Sequence, residues 1–478
     1  MDTSVRHAAS VRVRHAVFAS CIGGLVLLSG CARYQPSPLD LQQHAEEFRH
    51  RAEQLSVVAE HMRSSPSPDM PDAHVFDVTD GISMDEAEAI ALFYNADLRT
   101  ERLRAGLTLA TKENAGLWDD PELGFDGAEI LSPASPFEYG VTLQLTVPVS
   151  GRLRVERARA DAAHESQLRR IASKEWATRM DLRRAWIRWS AQVERERMLS
   201  EAIDYASDVE QVVDRLVQAG EMSRVEARLL KIDIEQLHTD QLQAEIDRTQ
   251  AKQTLLALLG LSADGNLVFE SQIHAEPPPL PEQIDTHLIE HSPEVAALIA
   301  EYEVAEESLR LEVQKQYPDI TIGSGYSNED DHRLLLGLSL PVPILNANRA
   351  GIAEAAALRD IARADAERAL EDICNSLVSA RSMYEAATSQ RMEYEHRVLT
   401  LLDEQSRELA ALAELGEVNA LMLVETLSRI TLARVRALEL QQQESELAIN
   451  IAEILGPRDM PEHLESNTHE PTQSGESR

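Results

Sequence analysis

Four short segments of the chain alternate between apolar and polar residues, which is the period of a β-strand with one apolar face. In the clearest of them, every second residue from Val141 to Val147 is apolar, with threonine or glutamine between. The segments are residues 123–126, 141–147, 320–323 and 334–340. This alternation is typical of transmembrane barrel strands of roughly 9 to 11 residues, although half-buried strands of soluble proteins also show it. The pattern predicts four strands.

Long stretches without proline follow each pair of predicted strands. Proline is absent from 149–276 and from 344–456, and a proline inside a helix costs about 3 kcal/mol. Apolar residues recur every three or four positions in both stretches, as in Val209, Val212 and Leu216. The pattern predicts a first helix from Arg152 to Ala219, which at 68 residues would be about 100 Å long. Such a helix has no globular core beside it, so we expect it to pack as a coiled coil or helical barrel.

Each long helix has a predicted end at a glycine and a new helix start three residues later. Gly220 can adopt the left-handed conformation that terminates helices. Ser223 and Glu226 have the spacing of a capping box, in which two side chains satisfy free backbone donors at a helix start. Gly416 and Asn419 stand at the same places in the second half. The sequence therefore predicts two tight helical hairpins whose tips point the same way.

These features occur twice, which predicts an internal duplication. Four landmarks recur at distances between 195 and 197 residues along the chain. They are Asp120-Pro121 with Tyr317-Pro318, Pro148 with Pro343, Gly220 with Gly416, and Gly260 with Gly456. We expect a first repeat over 82–261 and a second over 282–456. The proline-rich residues 262–281 between them are predicted to be a stiff, extended linker.

The composition fits long helices better than several compact cores. Only 4% of the 478 residues are aromatic, and the formal net charge of −35 makes nucleic acid an unfavourable partner. The three cysteines are too few for a disulfide scaffold. The sequence thus predicts a protein that is mainly α with a small β part.

The N-terminus has the organisation of a bacterial export signal. Basic residues precede an apolar run from Ala16 to Gly30, which is too short to span a bilayer. The signal over 1–30 ends at Cys31, which is similar to the lipidated cysteine of bacterial lipoproteins, and Ala32 favours the outer membrane. Residues 31–81 are expected to form a lipidated segment and linker, with one helix from Leu39 to His61. Residues 457–478 are polar and are expected to be a disordered tail.

Four strands are too few to close a barrel in lipid. An open sheet edge leaves backbone groups unpaired there, and small barrels begin at eight strands. The strands would therefore have to be pooled between chains. Three chains would supply twelve strands, although the sequence does not set the number of chains.

Taken together, residues 82 to 456 resemble the TolC, or outer-membrane factor, family of efflux channels. The resemblance is most specific at the two joints between strand and helix, and the second joint is similar to that of the heavy-metal branch. The joint residues are Pro148, Gly151, Pro343, Asn348 and Gly351. The resemblance implies a homotrimer with a twelve-stranded barrel in outer-membrane lipid and an α-helical tunnel in the periplasm. It also implies a periplasmic adaptor (membrane fusion protein) and an inner-membrane pump, of the resistance-nodulation-division type, as partners.

The same resemblance assigns roles to residues of the helical hairpins. Their tips would dock the adaptor through Gly220, Glu221, Met222 and Ser223, and through Gly416, Glu417, Val418 and Asn419. Glu425 stands where the family has an acidic residue at the closed end of the tunnel. Met422 occupies another position that is usually acidic. A carboxylate ring in a narrow pore attracts cations, so we expect a cation-permissive aperture.

Two alternatives remain open in the sequence. His287, Glu290 and His291 match the H-x-x-E-H pattern of one group of zinc peptidases, although the motif lies next to Ser292-Pro293, where a helix should break or restart. Its counterpart in the first half, 91–95, has no such ligands. A purely structural coiled-coil lipoprotein would explain the anchor and the helices but not the paired strand segments. The favoured function is a passive efflux channel for metal cations or drugs, with no catalytic residue, resident metal or cofactor.

Overall fold

The computed structural model describes residues 34–64, 81–129, 137–265, 267–329, 331–414 and 420–457. The predicted signal, Cys31, the second hairpin tip (416–419) and residues 458–478 of the predicted tail lie outside these ranges. The chain divides into two compact units, residues 1–48 and 49–478.

The single helix expected from Leu39 to His61 is wrong. The structure has α1 (Leu41–His50), a 3₁₀ turn (Arg51–Glu53) and α2 (Ser56–Ser64). At the break, the Gln54 N–H donates to the Arg51 carbonyl at 3.0 Å, which tightens the chain to a three-residue turn. Leu55 and Val58 are thereby buried in an apolar core. Burial of these side chains offsets the interrupted helix.

The same order of elements occurs twice along the chain. A short helix, a second helix, two strands and a long helical hairpin follow one another in each half. In the first half they are α3 (Met84–Tyr94), α4 (Ala96–Glu113), β1 (Glu122–Ala128), β2 (Glu138–Val147), α5 (Arg152–Ala219) and α6 (Arg224–Leu258). In the second half they are α7 (Ile284–His291), α8 (Pro293–Gln314), β3 (Ile320–Glu329), β4 (Asp331–Ser339), α9 (Arg349–Glu393), a π-helix (Tyr394–Leu399), α10 (Thr400–Glu414) and α11 (Ala420–Leu455).

The predicted fold class, mainly α with four strands, is confirmed, and α5 has the predicted bounds. The strands form one antiparallel sheet in the order β1-β2-β3-β4. The row Phe125, Val141, Tyr326 and Leu334 runs across the apolar face. The adjacent row on the other face includes Thr142 and two glycines. Strands β1 and β4 are the edges of this sheet, and each pairs with one described strand.

Two glycines at equivalent positions close the helical hairpins onto the short helices. Gly260 and Gly456 have φ of +69° and +78°. A Cβ atom on Gly260 would lie 2.4 Å from the Tyr94 carbonyl oxygen, and one on Gly456 would lie 2.2 Å from that of His291. Only glycine fits such a close backbone approach. The two halves are thus built around the same contact.

The linker between the halves is packed against the helices. Phe269 forms a bridge with Ile82 and meets Trp186 and Trp189 edge to face, with ring centroids 5.4 and 5.5 Å away. The backbone N–H of Gln272 donates to the Ser190 hydroxyl, and that of Ala275 donates to the Ser445 hydroxyl. Three of the chain's few aromatic residues therefore lie in one core where the linker crosses α5.

Candidate functional site

The first hairpin tip has the conformation expected from its sequence. Gly220 has φ of +80°, and the Glu221 N–H donates to the Leu216 carbonyl at 2.9 Å. The Ser223 hydroxyl accepts from the Glu226 N–H at 3.2 Å, while the Glu226 carboxylate accepts from the Ser223 N–H at 3.0 Å. These hydrogen bonds lower the pKa of Glu226. The tip is thus a tight, hydrogen-bonded turn.

The four tip residues differ in their exposure. Glu221 and Ser223 are exposed, whereas Met222 is half-buried and packs against the coiled-coil core. That core joins α5 to α6 through residues such as Val209, Val213 and Leu230. Within one chain Val212 of the predicted stripe is 43% exposed, whereas Val213, at 0%, faces α6. Spacings of three and four residues both fit a helix, so only the position of the partner helix distinguishes them.

Glu425 is exposed on α11 and forms an ion pair with its neighbour one helical turn on. Its carboxylate accepts from Arg429 at 2.6 Å, and both side chains are well exposed. The sequence interpretation did not include Arg429, although its spacing of four residues is the usual signal for such a pair. Met422, the other expected aperture position, is 51% exposed. The described hairpin therefore presents a local pair of opposite charges at this level, and not an isolated carboxylate.

The first joint between sheet and helix is held by a charge cluster. Gly151 has φ of +78° and starts α5 beside open space. The Asp319 carboxylate accepts from the Ser150 N–H at 3.0 Å and from Arg152 Nε at 3.3 Å. Burial would raise the pKa of Asp319, but the hydrogen bonds from Ser150 and the charge of Arg152 outweigh it and lower that pKa. Because Asp319 precedes β3, this contact ties the two halves together at the joint.

The second joint uses an amide where the first uses a guanidinium. Asn348 is left-handed, with φ of +51°, and its Nδ2 donates to both the backbone carbonyl and the carboxylate of Glu312 at 2.8 Å. A Cβ on Gly351 would lie 2.6 Å from the Glu312 carboxylate. Pro343 lies in the exposed, irregular stretch between β4 and α9, as Pro148 lies between β2 and α5. The roles of Asp319 and Glu312 were missed, because their partners are remote in sequence.

The H-x-x-E-H segment forms α7 and joins the end of the second hairpin. His287 Nε2 lies 3.1 Å from the Leu455 carbonyl, and a carbonyl can only accept, so this nitrogen carries a proton. The His287 and His291 rings are stacked, with centroids 4.3 Å apart. Within the described ranges, no cluster of three or more histidine, cysteine or acidic side chains could hold a metal ion. The hydrogen bond to Leu455 and the stacked rings give the motif a packing role at the end of the second hairpin.

No helix in the described part of the chain is long and apolar enough to cross a membrane.

Comparison with known proteins identifies a related family. Residues 124–261 match the family of outer membrane efflux proteins. A curated relative, the cobalt-zinc-cadmium resistance protein CzcC of Cupriavidus metallidurans, is 24% identical over 267 residues. That alignment covers 55% of this chain and 64% of the relative, so the chain spans less than two-thirds of the relative's length.

Solved structures show the same fold over most of the chain. CusC, described for transmembrane channel formation, superposes with a TM-score of 0.68 at 16% identity, covering 82% of this chain and 98% of CusC. The open state of the MtrE outer membrane channel of Neisseria gonorrhoeae has a TM-score of 0.65 at 16% identity, covering 82% and 94%. The predicted resemblance to the outer-membrane factor family, including its metal branch, is confirmed, and these structural relatives are channels.

Proposed function

We propose that this chain, whose residues 124–261 match the outer membrane efflux protein family, is the outer-membrane channel of a tripartite efflux system. It would be a passive duct to the exterior, and the pump would supply the energy. The observation that carries the proposal is the direct joining of a four-stranded sheet to helical hairpins, with α5 alone 68 residues long.

The sheet of one chain requires other copies before it can lie in lipid. Its apolar side chains are exposed, as in Leu334, Leu336 and Leu338, at 77%, 81% and 72%. Water-free lipid suits such a face but does not satisfy the unpaired backbone groups of the edge strands. Pairing of β4 with β1 of another copy would remove both edges. A homotrimer would give twelve strands, which is within the range of known barrels.

The helical hairpins also present an apolar stripe on the side away from their own core. Val225, Leu229 and Ile232 of α6 are exposed at 70%, 50% and 58%. Neighbouring copies in a trimer would cover this stripe and enclose a tunnel. We place these hairpins in the periplasm, with the chain anchored to the outer membrane through a lipid on Cys31.

A test of the channel starts with the purified full chain. Trimers that dissociate on heating, together with ion conductance in planar bilayers, are the expected results. A monomer without conductance would instead favour the structural coiled-coil lipoprotein. Replacement of Cys31 by serine should abolish incorporation of a palmitate analogue, and retained labelling would remove Cys31 as the anchor.

Metal cations are the proposed cargo, because the curated relative is a cobalt-zinc-cadmium resistance protein. A strain lacking this chain should become sensitive to cobalt, zinc or cadmium salts and should recover when the chain is restored. Sensitivity to drugs with unchanged metal tolerance would replace metals by drugs as the cargo.

The hairpin tips are proposed to dock a periplasmic adaptor, which connects the channel to an inner-membrane pump of the resistance-nodulation-division type. Both tips take part in this proposal, 220–223 and 416–419. Glu221→Lys should weaken cross-linking to the adaptor, because it reverses an exposed charge at the tip. Glu235→Lys is a matched control on the same hairpin, exposed but remote from the tip. Equal effects of the two substitutions would exclude a specific role of the tip.

Glu425 is proposed to line the aperture of the tunnel, with Arg429 as its counter-charge. Glu425→Gln should reduce the preference for cations in bilayer currents, whereas Arg429→Gln should increase it by releasing the carboxylate from its partner. Unchanged ion selectivity in both variants would remove Glu425 from the pore.

A further inference from the structure

A cavity of about 450 Å³ lies between the two hairpins of one chain. It is bounded by α5 of the first hairpin and by α10 and α11 of the second. Small-molecule sites have volumes of roughly 300 to 1,000 Å³ and combine an apolar lining with a few polar groups. The cavity is large enough for a ligand of this class.

The buried residues on the floor of the cavity present mainly apolar atoms. Ala202 and Leu409 are buried there, at 5% and 7% exposure. Two buried threonines also line it, and each hydroxyl makes one hydrogen bond within the protein. Thr426 Oγ1 bonds to Gln405 at 3.0 Å, and the Thr431 hydroxyl donates to a carbonyl of its own helix. The floor therefore offers mainly methyl groups and aliphatic carbons to a ligand.

Two opposite charges stand at the rim of the cavity. Asp403 comes from α10 and Arg434 from α11, and both are exposed. Within the part of the chain that the structure describes, neither side chain has an ion-pair or hydrogen-bond partner, and they do not bond to each other. The third charged residue of the lining, Glu201, is already paired with Arg197. The free charges are thus one carboxylate and one guanidinium above an apolar floor.

We infer that this cavity binds a small zwitterion with an apolar body, whose ammonium meets Asp403 and whose carboxylate meets Arg434. Guanidinium groups bind carboxylates in a bidentate manner, and an ammonium donates strong hydrogen bonds to a carboxylate. A ligand with only one charge would leave the opposite rim charge unmatched. A bound zwitterion would also link both arms of the second hairpin to α5.

The test uses three ligands that share an indole body. L-Tryptophan carries both charges, tryptamine only the ammonium, and indole-3-propionate only the carboxylate. Isothermal titration calorimetry of the full chain in detergent should show tryptophan binding about tenfold or more tighter than either analogue, as expected for the loss of one charge-assisted hydrogen bond. Equal binding of all three, or no binding of tryptophan at millimolar concentration, would overturn the inference.

Substitutions assign each charge to its residue. Asp403→Asn should bring the affinity for tryptophan down to that for indole-3-propionate, and Arg434→Gln should bring it down to that for tryptamine. Glu404→Gln and Arg436→Gln are matched controls, because both residues are exposed neighbours outside the cavity lining. Loss of tryptophan binding in the controls as well would contradict the assignment. Binding is measured on this protein alone, so a negative result would leave the channel proposal untouched.

Discussion

The two halves of the chain share one order of elements but use different interactions at equivalent places. In the first half, Glu88 of α3 is buried and accepts hydrogen bonds from Arg179 and Arg183 of α5, at 2.7 and 2.5 Å. In the second half, α7 carries an exposed acid, Asp285, whose carboxylate accepts a hydrogen bond from the Cys374 thiol at 3.9 Å. Burial first, and then Asp285, raise the pKa of this thiol. The same order of elements thus occurs with a buried ion pair between α3 and α5 in the first half and a weak, exposed contact at α7 in the second.

The long helices of the two hairpins differ as well. Helix α5 is continuous, whereas its counterpart consists of α9, a π-helix over Tyr394–Leu399, and α10. The second arm is not longer than the first, because Gly220 stands 69 residues after Gly151 and Gly416 stands 68 residues after Asn348. A π turn accommodates one additional residue without shifting the helix face on either side. The π-helix therefore marks a place in the second arm where one residue can be removed without rotating α9 relative to α10.

The largest expected difference between the halves comes from single-residue deletions. Deletion of Ile203 in α5 should rotate the following residues by about 100° and move Val209 and Val213 out of the coiled coil. We expect a loss of more than about 3 kcal/mol of unfolding free energy, since burial of each such side chain contributes about 1.5 to 3 kcal/mol. Deletion of Val398 should remove the π turn and retain the fold. Urea unfolding followed by circular dichroism would measure both, and equal losses would show that the π turn does not tolerate the removal of a residue.

The next effect concerns the contacts made by Glu88 in the first half and by Asp285 in the second. Glu88→Ala should lower the unfolding free energy by about 3 to 5 kcal/mol, because it removes the buried counter-charge of two arginines. Asp285→Ala should cost less than about 1 kcal/mol, as for other exposed positions. Glu88→Gln should give an intermediate loss, since an amide oxygen still accepts a hydrogen bond. Similar losses of unfolding free energy for Glu88→Ala and Asp285→Ala would show that the two contacts contribute equally to stability.

Glycine substitutions test the close backbone contact that both halves share, at Gly260 and at Gly456. Gly260→Ala and Gly456→Ala should each cost at least about 2 kcal/mol, because the left-handed backbone is strained and a carbonyl lies where the Cβ would be. Gly220→Ala should cost about 1 kcal/mol, since its surroundings are open and only the backbone conformation resists. Unfolding curves of the three variants would check this order. A Gly220→Ala loss as large as the others would mean that the tip is packed against something in the assembled protein.

The smallest expected effect is a dependence of stability on pH, which comes from the ion pair between Arg188 and Glu446. Arg188 of α5 binds Glu446 of α11 with two hydrogen bonds, at 2.9 and 3.0 Å. Burial would raise the pKa of Glu446, but the hydrogen bond and charge of Arg188 outweigh it and lower that pKa. A carboxylate with a lowered pKa stabilises the fold above its unfolded value of about 4.3, and this contribution is lost as the pH falls through the folded value.

Unfolding free energies measured between pH 6 and pH 3 should therefore fall more steeply in the native chain than in Glu446→Gln. The variant should also be less stable near neutral pH, where the native ion pair is intact. Parallel curves for the two proteins would show that Glu446 contributes nothing to the acid response. Glu404→Gln, at an exposed position, is expected to leave the slope unchanged.

Much of the fold could be predicted because it depends on neighbours in the chain. The bounds of α5 follow from a proline-free stretch between Gly151 and Gly220, and the capping box follows from Ser223 and Glu226. The strands follow from strict alternation. In contrast, the break near Gln54 could not be predicted, because it is decided by the burial of Leu55 in a core made by distant helices.

The candidate site divides in the same way. The turn at Gly220 is a local property of the backbone, and a helix whose apolar stripe requires a partner can be recognised from periodicity alone. Other features depend on helices that are far apart in sequence. The packing of such helices decides whether Val212 or Val213 faces the partner helix, and which arginines pair with Glu88 and Asp319. It also decides whether Asp403 and Arg434 lie at the rim of the same cavity. Local hydrogen bonding and burial period specify the elements. The pairing of charges and the choice of buried face arise only when those elements pack, because Coulomb and contact energies depend on distances in space and not along the chain.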